Sequence, residues 1–221
     1  MPFANQQQPI PVDLAAIWRG LVEGSEAIVD MFFSDIECGF VLAQRRQGSE
    51  EGNSGLVGRR LVVLESVLRG VSQNYLAIEL ELAASTVALN AKSGLEQLGV
   101  DTRPSRAHPL LMLVASVADG PQSRIPAFER ALDRHARAIT IPRPELCVSH
   151  MLPQAQHQAV ALLVEGRSYA EIAQQRGTSP RTIANQLAAS FRTLHVSGRG
   201  ELIQRLFVLS GWLPDAAARA A

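Results

Sequence analysis

Apolar residues recur at helical spacing along most of the chain, and two segments replace this pattern with that of β-strands. Between Leu14 and Leu21 the apolar residues fall at i, i+3, i+4 and i+7, which indicates one buried helix face. Residues 27–46 and 124–143 place apolar runs on both sides of a polar turn, which predicts two β-hairpins. The two hairpins are candidates for pairing into one small sheet. Helical patterns also cover 56–101, 108–117 and 152–213. The chain is therefore predicted to be mainly α-helical with small β-hairpins, an α+β fold.

Two stretches of the chain align without a gap at an offset of 96 residues. In this alignment Gly70 to Val100 matches Gly166 to Val196 at seven identical positions, and pairs of apolar residues fall on the same helical face. A fixed offset over this span indicates a repeated structural unit. Because a predicted hairpin precedes each copy, we expect tandem helical units, each following a short hairpin.

The second copy carries the signals of a helix, a glycine turn and a further helix. Ser168 is placed to cap the first of these helices, with Glu171 as its capping-box partner. Gly177 fits a turn that needs a positive φ. Ser179 is placed to cap the next helix, and Pro180 fits its first position, where a missing N–H costs nothing. This order predicts a helix-turn-helix.

Residues 152–203 resemble the LuxR/NarL-type DNA-binding domain, a four-helix unit whose third helix enters the major groove. The resemblance rests on the stretch EGRSYAEIAQQRGTSPRTIANQLAASFRTLHVSGRGEL. It implies a cytoplasmic transcriptional regulator, not an enzyme, that places the helix starting at Pro180 in the major groove of double-stranded DNA. The DNA-binding residues it implies are Ser179, Arg181, Thr182, Ala184, Asn185, Gln186, Ala188, Arg192 and Arg199.

The side chains at several of these positions suit contacts with DNA. Arg181 and Thr182 are placed to hold the DNA backbone, while Asn185 and Gln186 belong to the residue types that read adenine through two hydrogen bonds. The pattern also departs from the family. Arg176 stands where an apolar residue normally packs, and alanines replace groove-facing cations, which weakens the electrostatic attraction to DNA.

Residues 56–107 resemble the same family less closely and are interpreted as a degenerate copy. Glu81 occupies the place of the turn glycine, and Ala83 stands where the second copy has the capping Ser179. Alanine is a poorer cap than serine, by about 1 kcal/mol. A candidate second DNA-binding or partner surface consists of Ser85, Thr86, Leu89 and Lys92.

Charge is distributed unevenly although the net charge is formally zero. Residues 1–55 hold three arginines against eight carboxylates, whereas residues 150–221 hold seven arginines against four carboxylates. The basic end coincides with the better copy of the helix-turn-helix, which favours a nucleic-acid contact there.

Signals for other chemistry are lacking in the sequence. The five histidines and two cysteines show no metal-ligand spacing, and no nucleophile–base pattern or phosphate-binding glycine loop occurs. No apolar run approaches the length of about 18 residues that spans a membrane. We therefore expect no cofactor, no metal and no membrane contact.

The fourth-helix segments of the two units, Pro104 to Val117 and Gly200 to Leu213, share a similar apolar stripe. The partners expected are therefore double-stranded DNA and either a second copy of the chain or an internal pseudo-dimer formed through these helices. The alternative function is a protein-interaction scaffold that descends from such a regulator and binds little or no DNA.

We expect five segments along the chain. They are an N-terminal helix and hairpin (1–51), a degenerate LuxR-like unit (52–118), a connecting hairpin (119–147), the C-terminal DNA-binding domain (148–213) and a tail (214–221).

Overall fold

The computed structural model describes residues 10–45, 55–100, 108–117 and 125–215. Parts of three predicted segments lie outside the described residues. They are the start of the first fourth helix (104–107), the start of the connecting hairpin segment (119–124) and the tail beyond residue 215. The strands are Ile10–Pro11 (β1), Glu26–Phe33 (β2), Glu37–Gln44 (β3), Phe128–Ala131 (β4) and Ala136–Pro142 (β5). The α-helices are Leu14–Glu23 (α1), Gly58–Leu68 (α2), Gln73–Glu79 (α3), Ala84–Gln97 (α4), Pro109–Ser116 (α5), Gln154–Val164 (α6), Tyr169–Arg176 (α7), Pro180–Leu194 (α8) and Arg199–Leu209 (α9), with a 3-10 helix at Pro144–Val148. The predicted α+β fold is confirmed.

Both predicted hairpins are present, and they join into one antiparallel sheet with the strand order β1-β4-β5-β3-β2. The two hairpins meet through β3 and β5, where Phe40 pairs with Ile139 and Val41 with Ala138. Alternate residues of β3 and β5, including Phe40 and Ile139, are fully buried beneath the helices. The centre of the sheet therefore joins strands from the two halves of the chain.

The 96-residue offset of the sequence reappears in the helices. The helices α2, α3 and α4 begin at Gly58, Gln73 and Ala84, and α6, α7 and α8 begin 96 residues later in each case. Ser72 and Ser168 cap the equivalent helices α3 and α7 through their side chains. The turn that follows is left-handed in both units, with a φ of 52° at Glu81 and 61° at Gly177.

The two helical units are packed differently. The first has a small core of its own, made by Val63, Leu76, Val87 and Ala91. The second shares the main hydrophobic core with the sheet, α1 and α5. The apolar helix α5 is buried from Pro109 to Ala115, as expected of a helix that is hydrophobic all round.

The fourth helices of the two units contact each other within one chain, because α5 packs against α9 as well as α1 and α2. Leu110, Leu113 and Leu206 of the shared stripe are completely buried there. A second copy of the chain could reach these side chains only if the core around α9 were opened. Self-association through this stripe, one of the two arrangements considered from the sequence, therefore has no support in the structure.

His108 ties the start of α5 to the sheet. Its Nδ1 accepts a hydrogen bond from the backbone N–H of Leu110 at 3.2 Å, and its Nε2 lies 3.2 Å from the carbonyl oxygen of Phe32. These two contacts fit the neutral ring with the proton on Nε2. Burial lowers the pKa of His108 to about 4, so the ring stays neutral at physiological pH. His108 is therefore a structural core residue.

Candidate nucleic-acid interface

The helix-turn-helix of the second unit begins with the predicted capping box. The backbone N–H of Glu171 donates to the Ser168 hydroxyl at 3.3 Å, and the backbone N–H of Ser168 donates to the Glu171 carboxylate at 2.8 Å. The helix α7 ends at Gly177 in the left-handed conformation, where glycine has no steric cost. These contacts set the angle at which the chain enters the next helix.

The predicted start of α8 is also confirmed. The backbone N–H of Thr182 donates to the Ser179 hydroxyl at 3.1 Å, and Pro180 occupies the first helical turn. Every residue from 178 to 182 is exposed to solvent. Pro180 has no N–H, and the backbone N–H groups of Thr182 and Ile183 already bond Ser179. The N-terminus of α8 therefore presents the backbone N–H of Arg181 and the positive end of a helix dipole to solvent, where an anion can bind.

One face of α8 is buried and the opposite face is free. Ile183, Leu187, Ser190 and Leu194 are buried against the rest of the unit. The opposite face carries four of the predicted DNA-binding residues at helical spacing, and all four are exposed: Arg181, Asn185, Ala188 and Arg192. We name these four residues the α8 stripe. Ala184 lies half-buried at its margin.

Arg199, a further predicted DNA-binding residue, lies outside the α8 stripe, at the start of α9. Its guanidinium donates to the carbonyl oxygen of Val164, at the end of α6, over 3.1 Å. The side chain is largely buried, and burial lowers its pKa to about 10. A cation at this position complements the negative end of the α6 dipole. Arg199 therefore holds α9 on α6, and we leave it out of the candidate interface.

Arg176 has a role that the sequence did not indicate. One of its terminal nitrogens donates to the side-chain oxygen of Gln186 at 2.6 Å, and the other lies 3.4 Å from the side-chain oxygen of Gln158. The guanidinium thus links α7 to both α6 and α8. The only signal in the sequence was an arginine at a position where the family has an apolar residue.

The two units differ in charge. From α6 to α8 the chain has four arginines and two glutamates, whereas from α2 to α4 it has four cations and four glutamates. In the first unit Lys92 lies 3.8 Å from Glu96, which partly neutralises it. The second unit therefore provides the stronger electrostatic attraction for a polyanion.

The candidate surface of the first unit is exposed as predicted, at Ser85, Thr86, Leu89 and Lys92. Its chemistry is more apolar than that of the second unit. Tyr75, Ile78 and Leu89 expose 59%, 80% and 65% of their surface, whereas the second unit has Glu171, Gln174 and Asn185 at the equivalent positions. The N-cap residue of α4 is Ala83, which makes no side-chain capping bond.

A buried ion cluster attaches the second unit to the sheet. The Arg143 guanidinium donates to the Glu145 carboxylate, to Glu165 at 2.9 Å and to the carbonyl oxygen of Ser34 at 3.0 Å. Its charged carbon also lies 5.5 Å from the centre of the Phe33 ring. Glu145 is completely buried, and this burial raises its pKa although Arg143 opposes the shift. The cluster fixes α6, and with it the helix-turn-helix, to the β2–β3 hairpin.

Other kinds of site find little support among the described residues. Cys38 is buried and Cys147 half-buried, and both are free thiols. Within the described ranges no three His, Cys, Asp or Glu side chains come together as a metal site. In the same ranges no helix has the length and apolar character needed to cross a membrane.

Residues 146–194 match the family model described as Sigma-70, region 4. The match runs from the 3-10 helix to the end of α8, which is less than half of the chain. It supports a helix-turn-helix DNA-binding unit of a transcriptional regulator in these residues, and the first unit lies outside it. No curated protein and no solved structure matches the chain. The more specific assignment of these residues to the LuxR/NarL type stays a prediction.

The left-handed turns give a paired prediction for stability. Replacing Gly177 with alanine should lower the free energy of unfolding by about 1 kcal/mol, because left-handed φ is strained for other residues. An added Cβ would meet nothing within 4 Å, so the loss would come from the backbone alone. The reciprocal change Glu81→Gly should be neutral or stabilising. Urea unfolding measures both, and a Gly177→Ala variant as stable as the wild type would contradict the turn assignment.

Proposed function

We propose that this protein is a transcriptional regulator, and not an enzyme, that inserts α8 into the major groove of double-stranded DNA. The observation that carries this proposal is the α8 stripe, which is exposed opposite a buried face and follows an exposed, capped helix start. The major groove admits one α-helix, whose outward side chains then meet base edges. The proposed DNA-binding domain spans residues 148–213 and is of the LuxR/NarL type.

The α8 stripe offers separate groups for the backbone and for the bases. Arg181 and Arg192 would bind phosphates, and the N-terminus of α8 would bind a further phosphate through the backbone N–H of Arg181 and the hydroxyl groups of Ser179 and Thr182. Asn185 carries an amide that matches the donor and acceptor of adenine, and the methyl group of Ala188 fits against the methyl group of thymine. The phosphate contacts would supply affinity, and the base contacts would supply sequence preference.

The proposal predicts salt-dependent binding to DNA. The affinity for a labelled duplex, measured by fluorescence anisotropy, should fall linearly on a log–log plot against salt concentration. The slope should be about −2 or steeper, because each phosphate neutralised by an arginine contributes about −0.9. Absence of binding at low salt, or binding with a flat slope, would refute a DNA-binding function.

A second candidate function is a protein contact made by the first unit, proposed here for residues 52–118. The observation that favours it is the exposure of Tyr75, Ile78 and Leu89 where the second unit is polar. Contiguous exposed apolar patches mark interaction surfaces, and the proposal is that these three side chains form one. A flat salt slope together with a protein partner that Leu89→Asp releases would make the scaffold function the better account.

A further inference from the structure

The orientation of the Gln186 side chain is fixed by its neighbour. A guanidinium carries only hydrogen-bond donors, so the Gln186 atom 2.6 Å from Arg176 must be the amide oxygen. The usual uncertainty between the oxygen and nitrogen of an amide therefore does not arise here. The amide nitrogen, with its two N–H groups, is left as the end that can reach a ligand.

This arrangement changes what Gln186 can recognise. An amide reads adenine by donating to N7 and accepting from the N6 amino group at the same time. Arg176 occupies one of the two lone pairs of the Gln186 oxygen and holds that oxygen toward α7, so the N–H groups are the end of the amide directed away from Arg176. N–H donors can bond phosphate oxygens, which line the walls of the groove, or acceptors on the base edges such as guanine N7 and O6, so the position of Gln186 on α8 decides between them.

The position of Gln186 on α8 agrees with this chemistry. It is half-buried and lies between the buried face and the α8 stripe, on the side where Arg176 approaches from α7. Asn185 is exposed on the outward face instead. In a helix that points its outward face at the base edges, a residue on the flank lies nearer to the sugar-phosphate backbone.

We infer that Gln186 binds a DNA phosphate and reads no base, with Arg176 as the positioning residue that turns its N–H groups toward the backbone. Asn185 is then the base-reading amide of α8. This inference rests on the proposed DNA-binding function and assigns to Gln186 a different role from the one that its residue type predicts.

The test uses the full chain and a duplex selected by the protein from a random-sequence library, with a panel of duplexes that each differ from it at one base pair. The Gln186→Ala variant should lose about tenfold in affinity on every duplex, so that the ranking of the panel is unchanged. Its salt slope should also be unchanged, because a neutral amide releases no counterion. The matched control Asn185→Ala should lose affinity for the selected duplex and lose its preference at one base pair.

Two further variants separate phosphate binding from a structural role. Gln186→Glu keeps an acceptor for Arg176 but removes both donors, so its loss on all duplexes should exceed that of Gln186→Ala. Arg176→Met should lower affinity uniformly, and adding it to Gln186→Ala should cost little more, because the two side chains act through one contact. Circular dichroism would verify that the variants are folded.

The outcomes are distinguishable. A Gln186→Ala variant that loses its preference at one base pair would overturn the inference, and so would a Gln186→Glu variant that binds like the wild type. If the wild type binds no duplex at all, that result contradicts the proposed DNA-binding function itself. If the wild type binds and ranks duplexes but the Gln186 variants leave every affinity unchanged, only this inference fails.

Discussion

Replacing Arg181 and Arg192 together with glutamate should reduce the affinity for duplex DNA by at least about 100-fold, because each hydrogen bond to a charged group contributes about 1.5–3 kcal/mol. Both side chains are exposed on the α8 stripe, and no described contact within the protein depends on them. The new carboxylates would also repel phosphate. The salt slope should become shallower by about 2, as expected for two lost phosphate contacts.

A matched control is available in the first unit. Arg59 and Arg60 are exposed on α2, and the same double replacement there changes the net charge by the same amount. If charge alone governed binding, the control would weaken affinity as much as the α8 variant does. Equal losses in the two variants would show that DNA does not contact α8, whereas a loss confined to the α8 variant supports the proposed interface.

Removing Arg143 should have the largest effect on stability. The Arg143→Met variant is expected to lose about 3–5 kcal/mol, because it leaves the carboxylate of the completely buried Glu145 without its ion-pair partner. Chemical denaturation measures the loss. The double variant Arg143→Met/Glu145→Met should recover most of it, since an apolar pair often replaces a buried ion pair without net cost.

The loss should depend on pH in a defined direction. Burial already raises the pKa of Glu145 above its ordinary value of 4.5, and without Arg143 the pKa should rise further. The folded variant then holds a proton that the unfolded chain has released, so its stability falls as the pH rises above about 4.5. A variant equally destabilised at pH 5 and pH 8 would mean that Glu145 is not the cause.

The sequence predicted the features that depend on neighbouring residues. The capping box at Ser168, the turn at Gly177 and the start of α8 at Ser179 and Pro180 are local, and each is present. The two hairpins and the 96-residue offset of the helices were also predictable, because alternation and repetition are visible along the chain.

The features that the sequence did not predict depend on contacts between distant residues. Arg199 has the residue type of a phosphate contact, and only the packing of α9 on α6 shows that it bonds Val164 instead. The bond between Arg143 and Ser34 joins positions more than a hundred residues apart, which no local pattern encodes. The acceptor of Gln186 is engaged because α7 brings Arg176 beside it.

The pairing of β3 with β5 has a consequence for the order in which the chain folds during synthesis. Phe40 cannot pair with Ile139 until most of the chain has left the ribosome. Until then, the edge of β3 that later pairs with β5 has no partner strand. The helices α2 to α4 lie between these strands in the sequence and have their own small core, so they can fold before β5 is synthesised. Once folded, they shorten the flexible loop that the sheet must close and lower its entropic cost. Substitutions in the core of the first unit, such as Val63→Ala, should therefore slow assembly of a sheet that they do not touch.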